Sequence, residues 1–381
     1  THQLLPTWPA SRLDVALPAL AYPGTEIAAV LAAFAIVEAW AGEESDPGRP
    51  EVPQFGRDLH SLDVADLVRE PVPQFPAVAR KQLQVREART LVARGLAYLD
   101  RLRSARLRAL VCDFDGTFCD TAKRFDGLDA NLVPEITRLA RAGIHLAFAT
   151  GRGAKLASEL RSKLPQDVWR KITLGCYSGS YFIELDRDRL DAPVADPRLV
   201  QLAQWLCDRQ VLPEHITPRV DAGQLGLRGL PGAERWRLIA AINEWMAAEA
   251  HRGWRTFSSG HSVDVITEHV GKRRVVEHLC ERLQLDPLTQ VLRLGDAGDF
   301  GGNDYELLSE GVALSVDAVP PDASQCWNLL PRMLRGVRGT QFYLQSLEAE
   351  ASVARFSVAF LQRSAAALRE RVSDSLEPQG S

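Results

Sequence analysis

From about residue 107 the apolar residues fall into two alternating rhythms, and that alternation limits the fold more than any other feature. "LRALVC" reads as a buried strand. "NLVPEITRLARAG" reads as a helix, with Pro134 in its first turn and Gly143 at its end. "IHLAFAT" is another buried strand, "KLASELRSKL" a helix, and "KITLGCYSGSYFIEL" one or two further strands. Strand and helix alternate, so the chain is expected to be α/β, with a parallel sheet covered by helices on both faces. Ligands of such sheets bind beyond the carboxyl ends of the strands.

Residues 187–260 break the rhythm. They hold Trp205, Trp236, Trp245 and Trp254, and "PGAERWRLIAAINEWMAAEAH" is a strong helical pattern. This segment reads as an inserted second domain. The first rhythm is expected to resume with "HSVDVI", the helix "KRRVVEHLCERL", the strand "VLRLGD" and the helix "DYELLS". The expected layout is a mainly helical or irregular extension over 1–106, a core in two parts over 107–186 and 261–341, the insertion over 187–260, and a helical tail over 342–381.

The extension offers fewer signals. Thr25 can cap a helix over roughly 26–41, and polar, Pro-bearing loops follow it. A longer helical pattern starts near Ala77, with Val92, Leu96, Leu99 and Leu102 on one face. Its other faces are basic, with Arg80, Lys81, Arg86, Arg89, Arg94, Arg101, Arg103 and Arg106. Such a run is most simply a solvated face; a surface for an acidic partner or nucleic acid is the alternative. The apolar run "IAAVLAAFAIV" is too short to cross a bilayer and lacks a basic leader. The first residue is Thr rather than Met, as expected of a trimmed start.

At 381 residues, 46% hydrophobic and 25% charged, the chain can bury a sizeable core in two domains. A net charge of -4 argues against bulk electrostatic binding to nucleic acid. Six scattered cysteines (112, 119, 176, 207, 280 and 326) form no CxxC pair and no zinc spacing. They read as reduced, mostly buried thiols of a cytoplasmic protein.

Four segments carry chemistry. Asp113-Phe114-Asp115-Gly116-Thr117 follows the first strand, and Thr150-Gly151-Arg152 follows "IHLAFA". Lys272 opens a helix after Gly271, and "GDAGDFGGND" contains Asp296, Asp299 and Asp304. Each is weak alone, since acidic turns, TGR turns and lysines at helix starts are common. Their order and placement at strand ends or helix starts are much harder to obtain by accident. Two acids so close repel, and a buried carboxylate needs a partner, which points to a bound cation. A phosphomonoester resists hydrolysis because its anionic oxygens repel an anionic nucleophile. Mg²⁺ screens such charge and prefers carboxylate and water oxygens. Asp113 can then attack phosphorus, and Asp115 can protonate the leaving alkoxide and later activate water. Thr150 and backbone N–H groups can hold the phosphate, with Lys272 neutralising charge.

On these residues the sequence resembles the haloacid dehalogenase superfamily of phosphohydrolases, in particular its Mg²⁺-dependent members, over about 107–340. The resemblance implies a Rossmann-like, doubly wound core. It makes Asp113 the nucleophile, Asp115 the acid/base, Thr150 the phosphate-binding hydroxyl and Lys272 the third-motif lysine. The implied metal ligands are Asp113, the backbone carbonyl of Asp115, and acids among Asp296, Asp299 and Asp304. Thr117, Gly151, Arg152, Ser178 and Gly179 are the implied substrate contacts. An insertion between the second and third motifs is similar to the branch with a large α/β cap, which includes sucrose-phosphate and trehalose-phosphate phosphatases, phosphomannomutase and phosphosugar phosphatases. Here Ser178-Gly179-Ser180 stands where "NGA" is common in that branch. The branch usually reads GDxxND, whereas Asp296 and Asp304 lie eight apart here, so either four residues are inserted or Asp299 is a ligand.

By analogy with the branch, the expected activity is hydrolysis of a small phosphomonoester, a phosphosugar above all. Cap candidates for the substrate are His215, Arg219, Asp221, Arg228 and His261. Trp236 and Trp254 could stack on a sugar, though a cap core explains them more simply. Two alternatives stand beside this reading. One is a phosphomutase that returns the phosphate. The other is a regulatory or binding protein that engages a protein partner, or a second copy, through the N-terminal region.

Overall fold

Period-two burial builds the central strands, and the side chains of one strand serve two cores. Leu110 and Cys112 enter a large apolar cluster on one face of the sheet, while Ala109 and Val111 enter a second cluster on the other. That is why "ALVC" is apolar without a break. The structure, a computed structural model, describes residues 88–376 apart from 121–125, 188–193, 214, 230–231, 259–261 and 332–333. The helix expected over 26–41, its flanking loops, Arg80, Lys81, Arg86 and the candidate His261 lie outside the described residues, as does the proposed partner surface before residue 88.

The chain runs α1 (Ala88–Ser104), β1 (Ala109–Asp113), α2 (Val133–Arg141), β2 (His145–Ala149), α3 (Lys155–Lys163), β3 (Ile172–Cys176) and β4 (Tyr181–Glu184). The insertion holds α4 (Pro197–Asp208), β5 (Arg219–Asp221), β6 (Gln224–Arg228), α5 (Gly232–Ala248), β7 (Arg255–Ser258) and β8 (Ser262–Ile266). Then come α6 (Arg273–Leu283), β9 (Val291–Ala297), α7 (Tyr305–Leu308), β10 (Val312–Ala318), α8 (Gly336–Gln345), β11 (Leu347–Glu350), β12 (Val353–Phe356) and α9 (Val358–Leu376).

The main sheet has the order β10-β9-β1-β2-β3-β4. The strands from β10 to β3 pair in parallel. The chain builds outward from β1 to β3 and later returns to β9 on the other side of β1. The direction of strand addition therefore reverses beside β1, which opens a crevice at its carboxyl end. Strand β4 corrects the expectation of an all-parallel sheet: it pairs antiparallel with β3. Four residues join the two, far too few for a crossover. Tyr177, Ser178 and Gly179 turn the chain back with φ of 48°, 57° and 82°.

A second sheet, of order β5-β6-β8-β7, is antiparallel throughout. Helices α4 and α5 supply its core with Leu199, Leu202, Leu206, Leu238 and Ile242. Trp254, weighed as a sugar platform, is buried in that core. "HSVDVI" does not return to the main sheet as the sequence suggested. Strand β8 lies between β6 and β7, because Val263 and Val265 bury in the cap core beside Leu225 and Leu227. The chain crosses back only after Ile266.

Two further differences concern the ends. Helix α1 is part of the core rather than of an appended extension. Leu91, Tyr98, Leu99 and Leu102 are buried in the main cluster, and the Tyr98 hydroxyl accepts the Ala313 N–H of β10 at 2.9 Å. Gly95 lets α9 approach, since a Cβ there would lie 2.9 Å from the Leu368 side chain. The tail, expected to be helical, contains the β11–β12 hairpin. Its turn residues Ala351 and Ser352 take φ of 48° and 63° without the Gly or Asn that usually announces such a turn. Leu99→Ala is expected to destabilise the fold by about 2–5 kcal/mol, measured as a lower urea midpoint. An unchanged midpoint would place α1 outside the core. None of the six cysteines is in a disulfide. Among the described residues no helix is long and apolar enough to cross a membrane.

Candidate active site

Strand β1 delivers Asp113 to the crevice. Phe114 points the other way, into the core, where it meets Phe148 edge-on at 5.7 Å. Asp113 and Asp115 therefore emerge on the same side, anchored by the buried ring between them. Gly116 then turns with φ +90°, and a Cβ there would stand 2.1 Å from Asp296 Oδ2. The acidic turn can approach the loop after β9 only without a side chain at this position.

The two acids meet different surroundings. Asp113 is 2% exposed; its Oδ1 accepts from Lys272 Nζ at 2.5 Å and its Oδ2 from Thr117 Oγ1 at 3.2 Å. The Thr117 carbonyl accepts from Thr340 Oγ1 at 2.6 Å, which ties this turn to α8. The Asp115 carboxylate, its side chain 29% exposed, is gripped by Arg152 through Nη2 at 2.6 Å and Nε at 3.1 Å. Arg152 also lies over the Phe114 ring at 4.9 Å and near Glu159 at 3.7 Å.

Lys272, at the start of α6, donates from the same Nζ to Asp304 Oδ1 at 2.5 Å. Asp304 is fully buried, and its Oδ2 accepts the backbone N–H groups of Asp296 and Ala297 at 3.0 and 3.1 Å. Gly295 makes room for it, since a Cβ there would fall 2.6 Å from Asp304 Oδ2. The loop between the two acids folds back on itself, with the Asp304 N–H donating to the Ala297 carbonyl at 3.1 Å. Distance along the sequence is thereby cancelled. Carboxylate oxygens of Asp113, Asp296 and Asp304 gather within 4.8 Å of one another. Asp299 is exposed and does not join them, and the Asp115 carboxylate faces Arg152 instead.

This gathering has an electrostatic cost. Burial first, then the charge of Asp304, pushes the Asp113 carboxyl up to about 8, even though Lys272 opposes the shift. Burial, then Asp113 and Asp304, pushes Asp296 up to about 9. Burial lowers the Lys272 ammonium, but Asp113 and Asp304 outweigh it and hold the ammonium above its ordinary value. Ionising all three carboxylates against one lysine would leave an excess of negative charge in a site whose other donors are hard oxygens, and a cation would relieve it. That donor set fits a small divalent cation such as Mg²⁺.

Thr150, 1% exposed at the end of β2, accepts the Arg152 N–H on Oγ1 at 3.0 Å, so its hydroxyl hydrogen is available to donate. Ser178 N–H donates to the Thr150 carbonyl at 2.8 Å, which sets the β3–β4 turn against this loop. A Cβ on Gly179 would lie 2.6 Å from the Gly271 carbonyl, so this glycine lets the turn pack against the approach to Lys272. Ser178 Oγ donates to Gln224 Oε1 at 3.0 Å, and Gln224 Nε2 donates to Asp264 Oδ1 at 2.8 Å.

Gln224 and Asp264 were not singled out in the sequence, yet the signal was present. In "QLGLR" and "SVDVI" the apolar residues alternate with Gln224, Gly226, Arg228, Ser262 and Asp264. Leu225, Leu227, Val263 and Val265 take the cap core, and the polar set takes the opposite face. Gln224, Arg228, Ser262 and Asp264 line a cavity of about 700 Å³ shared with Asp113, Asp115, Arg152, Lys272 and Asp296. A further tie, an ion pair from Arg255 of β7 to Glu306 of α7, joins cap to core. Of the remaining cap candidates, His215 is exposed, and Arg219 and Asp221 pair with each other at a smaller adjoining pocket.

Comparison with known proteins agrees with this layout. Residues 110–213 match the model of haloacid dehalogenase-like hydrolases. Residues 232–327 match the model of Sucrose-6F-phosphate phosphohydrolase. The chain has no match among curated proteins. Among solved structures it resembles the sucrose-phosphatase of Synechocystis sp. PCC6803 in complex with sucrose and phosphate, at 18% identity over 61% of this chain and 93% of that one, with a TM-score of 0.43. It also resembles a haloacid dehalogenase-like hydrolase from Bacteroides thetaiotaomicron (16% identity, 55% and 88% covered, TM-score 0.41). A third likeness is to the N-terminal truncated IMP-nucleotidase of Plasmodium falciparum (16% identity, 60% and 70% covered, TM-score 0.44). The two family models follow one another along the chain and take in both halves of the main sheet and part of the cap, so the region they span, residues 110–327, is that of a haloacid dehalogenase-like hydrolase.

Proposed function

We propose that the protein is a Mg²⁺-dependent phosphatase that hydrolyses a small phosphomonoester, a phosphosugar, with Asp113 as its nucleophile. The observation that carries this reading is the convergence of Asp113, Asp115, Lys272 and Asp296 on one cavity beneath the cap. Asp113, Asp296, Asp304 and the backbone carbonyl of Asp115 would hold the cation, which when bound supplies the positive charge that lets an anionic ester approach an anionic carboxylate.

Asp113 attacks phosphorus, the bond from phosphorus to the leaving oxygen breaks, and Asp115 delivers a proton to that oxygen. Water then attacks the aspartyl-phosphate and gives its proton to Asp115. The bond between phosphorus and Asp113 breaks, and inorganic phosphate leaves. Lys272 orients Asp113 and balances its charge, while the Thr150 hydroxyl and N–H groups around Gly151 receive phosphate oxygens. Arg152, entered among the substrate contacts on sequence grounds, is bonded to Asp115 and sets the direction of that carboxylate. The match of 232–327, which includes α5, β7 and β8 of the cap, to a sugar-phosphate phosphohydrolase model supports the phosphosugar assignment.

A phosphate-release screen across phosphorylated sugars, nucleotides and cofactors tests this function. Release of inorganic phosphate from sugar phosphates, without a bisphosphate activator, is the expected result. Transfer of the phosphoryl group with no net release would instead indicate a mutase. Gly116→Ala should displace the Asp296 carboxylate and lower turnover by about a hundredfold with the circular dichroism spectrum retained. Normal turnover in that variant would mean that the contact between Gly116 and Asp296 is irrelevant to catalysis.

A further inference from the structure

The loop between Asp296 and Asp304 contains more chain than its carboxylates need. Asp304 reaches the cluster because the loop doubles back, and residues 299–303 are left largely exposed. Gly301, at φ +87° with open space around it, carries the loop through its outer turn. At the tip Phe300 is 84% exposed, its ring set by an edge contact with Tyr305 at 5.7 Å. No step of the chemistry uses this ring. Trp236, on α5 of the cap, is 71% exposed, and the chemistry has no use for it either. Single exposed aromatics are ordinary. These two border the same cavity, one from the core and one from the cap, with Arg228 and Asp264 also on its wall.

We propose that Trp236 and Phe300 form a clamp at the mouth of the catalytic cavity, selecting esters whose leaving group ends in a flat ring. The inference rests on the phosphatase reading and adds a specificity device to it. Indole and phenyl faces attract flat ring surfaces, whether the C–H face of a pyranose or the π face of a base. Arg228 and Asp264 can hydrogen-bond the polar edge of the same group. A cavity of about 700 Å³ falls in the range that encloses ligands larger than a single ring.

The test compares kcat/KM for glycerol 1-phosphate, a disaccharide monophosphate and a nucleoside 5′-monophosphate in wild type, Trp236→Ala and Phe300→Ala. Both side chains are exposed, so folding is not at stake. The wild type is expected to prefer one ring-bearing substrate. Each variant should lower the ratio of ring-bearing to ring-free kcat/KM by about tenfold, mainly through KM. The substrate whose ratio collapses identifies the ring as sugar or base. Turnover of glycerol 1-phosphate with no preference for a ring, or ratios unchanged within twofold in both variants, would overturn the clamp alone. Turnover of none of the three by the wild type would overturn the phosphatase reading and the clamp with it.

Discussion

Asp113→Asn is expected to reduce phosphate release by roughly 10⁴-fold or more while leaving the fold intact, as removal of a nucleophile does in other covalent mechanisms. The substitution preserves shape and leaves an amide oxygen where the attacking carboxylate stood. An amide is a poor nucleophile and brings no full negative charge to Lys272 or to a cation. The stability expectation runs the other way. Burial, then the charge of Asp304, pushes the Asp113 carboxyl up to about 8, so near neutral pH the metal-free fold must take up a proton that the unfolded chain does not hold. An amide has no proton to take up, so the melting temperature should hold or rise near neutral pH. Loss of turnover together with a retained or raised Tm identifies a chemical role. Loss of both would identify a structural one, and near-normal turnover would contradict nucleophilic catalysis by Asp113.

The second large effect concerns the cation. EDTA is expected to abolish turnover and Mg²⁺ to restore it. Mg²⁺ at a hundred times its dissociation constant should also stabilise the fold by about 2.7 kcal/mol, read as a rise in Tm. The pH dependence has a definite sign. Asp113 and Asp296 have folded values of about 8 and about 9, above the ordinary range near 4. Between those limits the folded state binds more protons than the unfolded one, so the metal-free protein should lose stability as pH rises from about 4 to about 9. Mg²⁺ should flatten that decline by neutralising the same carboxylates. A Tm that ignores Mg²⁺ at every pH would remove the cation from this site.

Much of this site is legible in the amino-acid sequence. Strands buried on both faces show as unbroken apolar runs, which placed Asp113 and Thr150 at strand ends. That the buried Phe114 sets Asp113 and Asp115 on one side of the turn emerged only from the structure. What stayed hidden depended on backbone geometry or on the partner an element chooses. Asp304 joins the carboxylate cluster through the N–H groups of Asp296 and Ala297, and those donors have no signature in the sequence. Strand β8 has the same apolar alternation whichever sheet it enters; only the core available to Val263 and Val265 decides. Strand β4 reverses because of the turn at Tyr177–Gly179, where two of the three residues are not glycine. The β11–β12 hairpin alternates Leu347, Ala349, Ala354 and Phe356 inward, but two alanines and a Gly-free turn conceal a pattern of that length. The cap's polar face was legible in "QLGLR" and "SVDVI" once the two strands were recognised as neighbours.

Trapping the covalent intermediate tests the central claim most directly. The wild-type enzyme would be quenched in mid-turnover and treated with borohydride, which reduces an acyl phosphate to an alcohol, and its peptides then mapped by mass spectrometry. Reduction at residue 113 to homoserine, dependent on both substrate and Mg²⁺, is the predicted result. Steady turnover with an unmodified Asp113, or with the label on another residue, would contradict it.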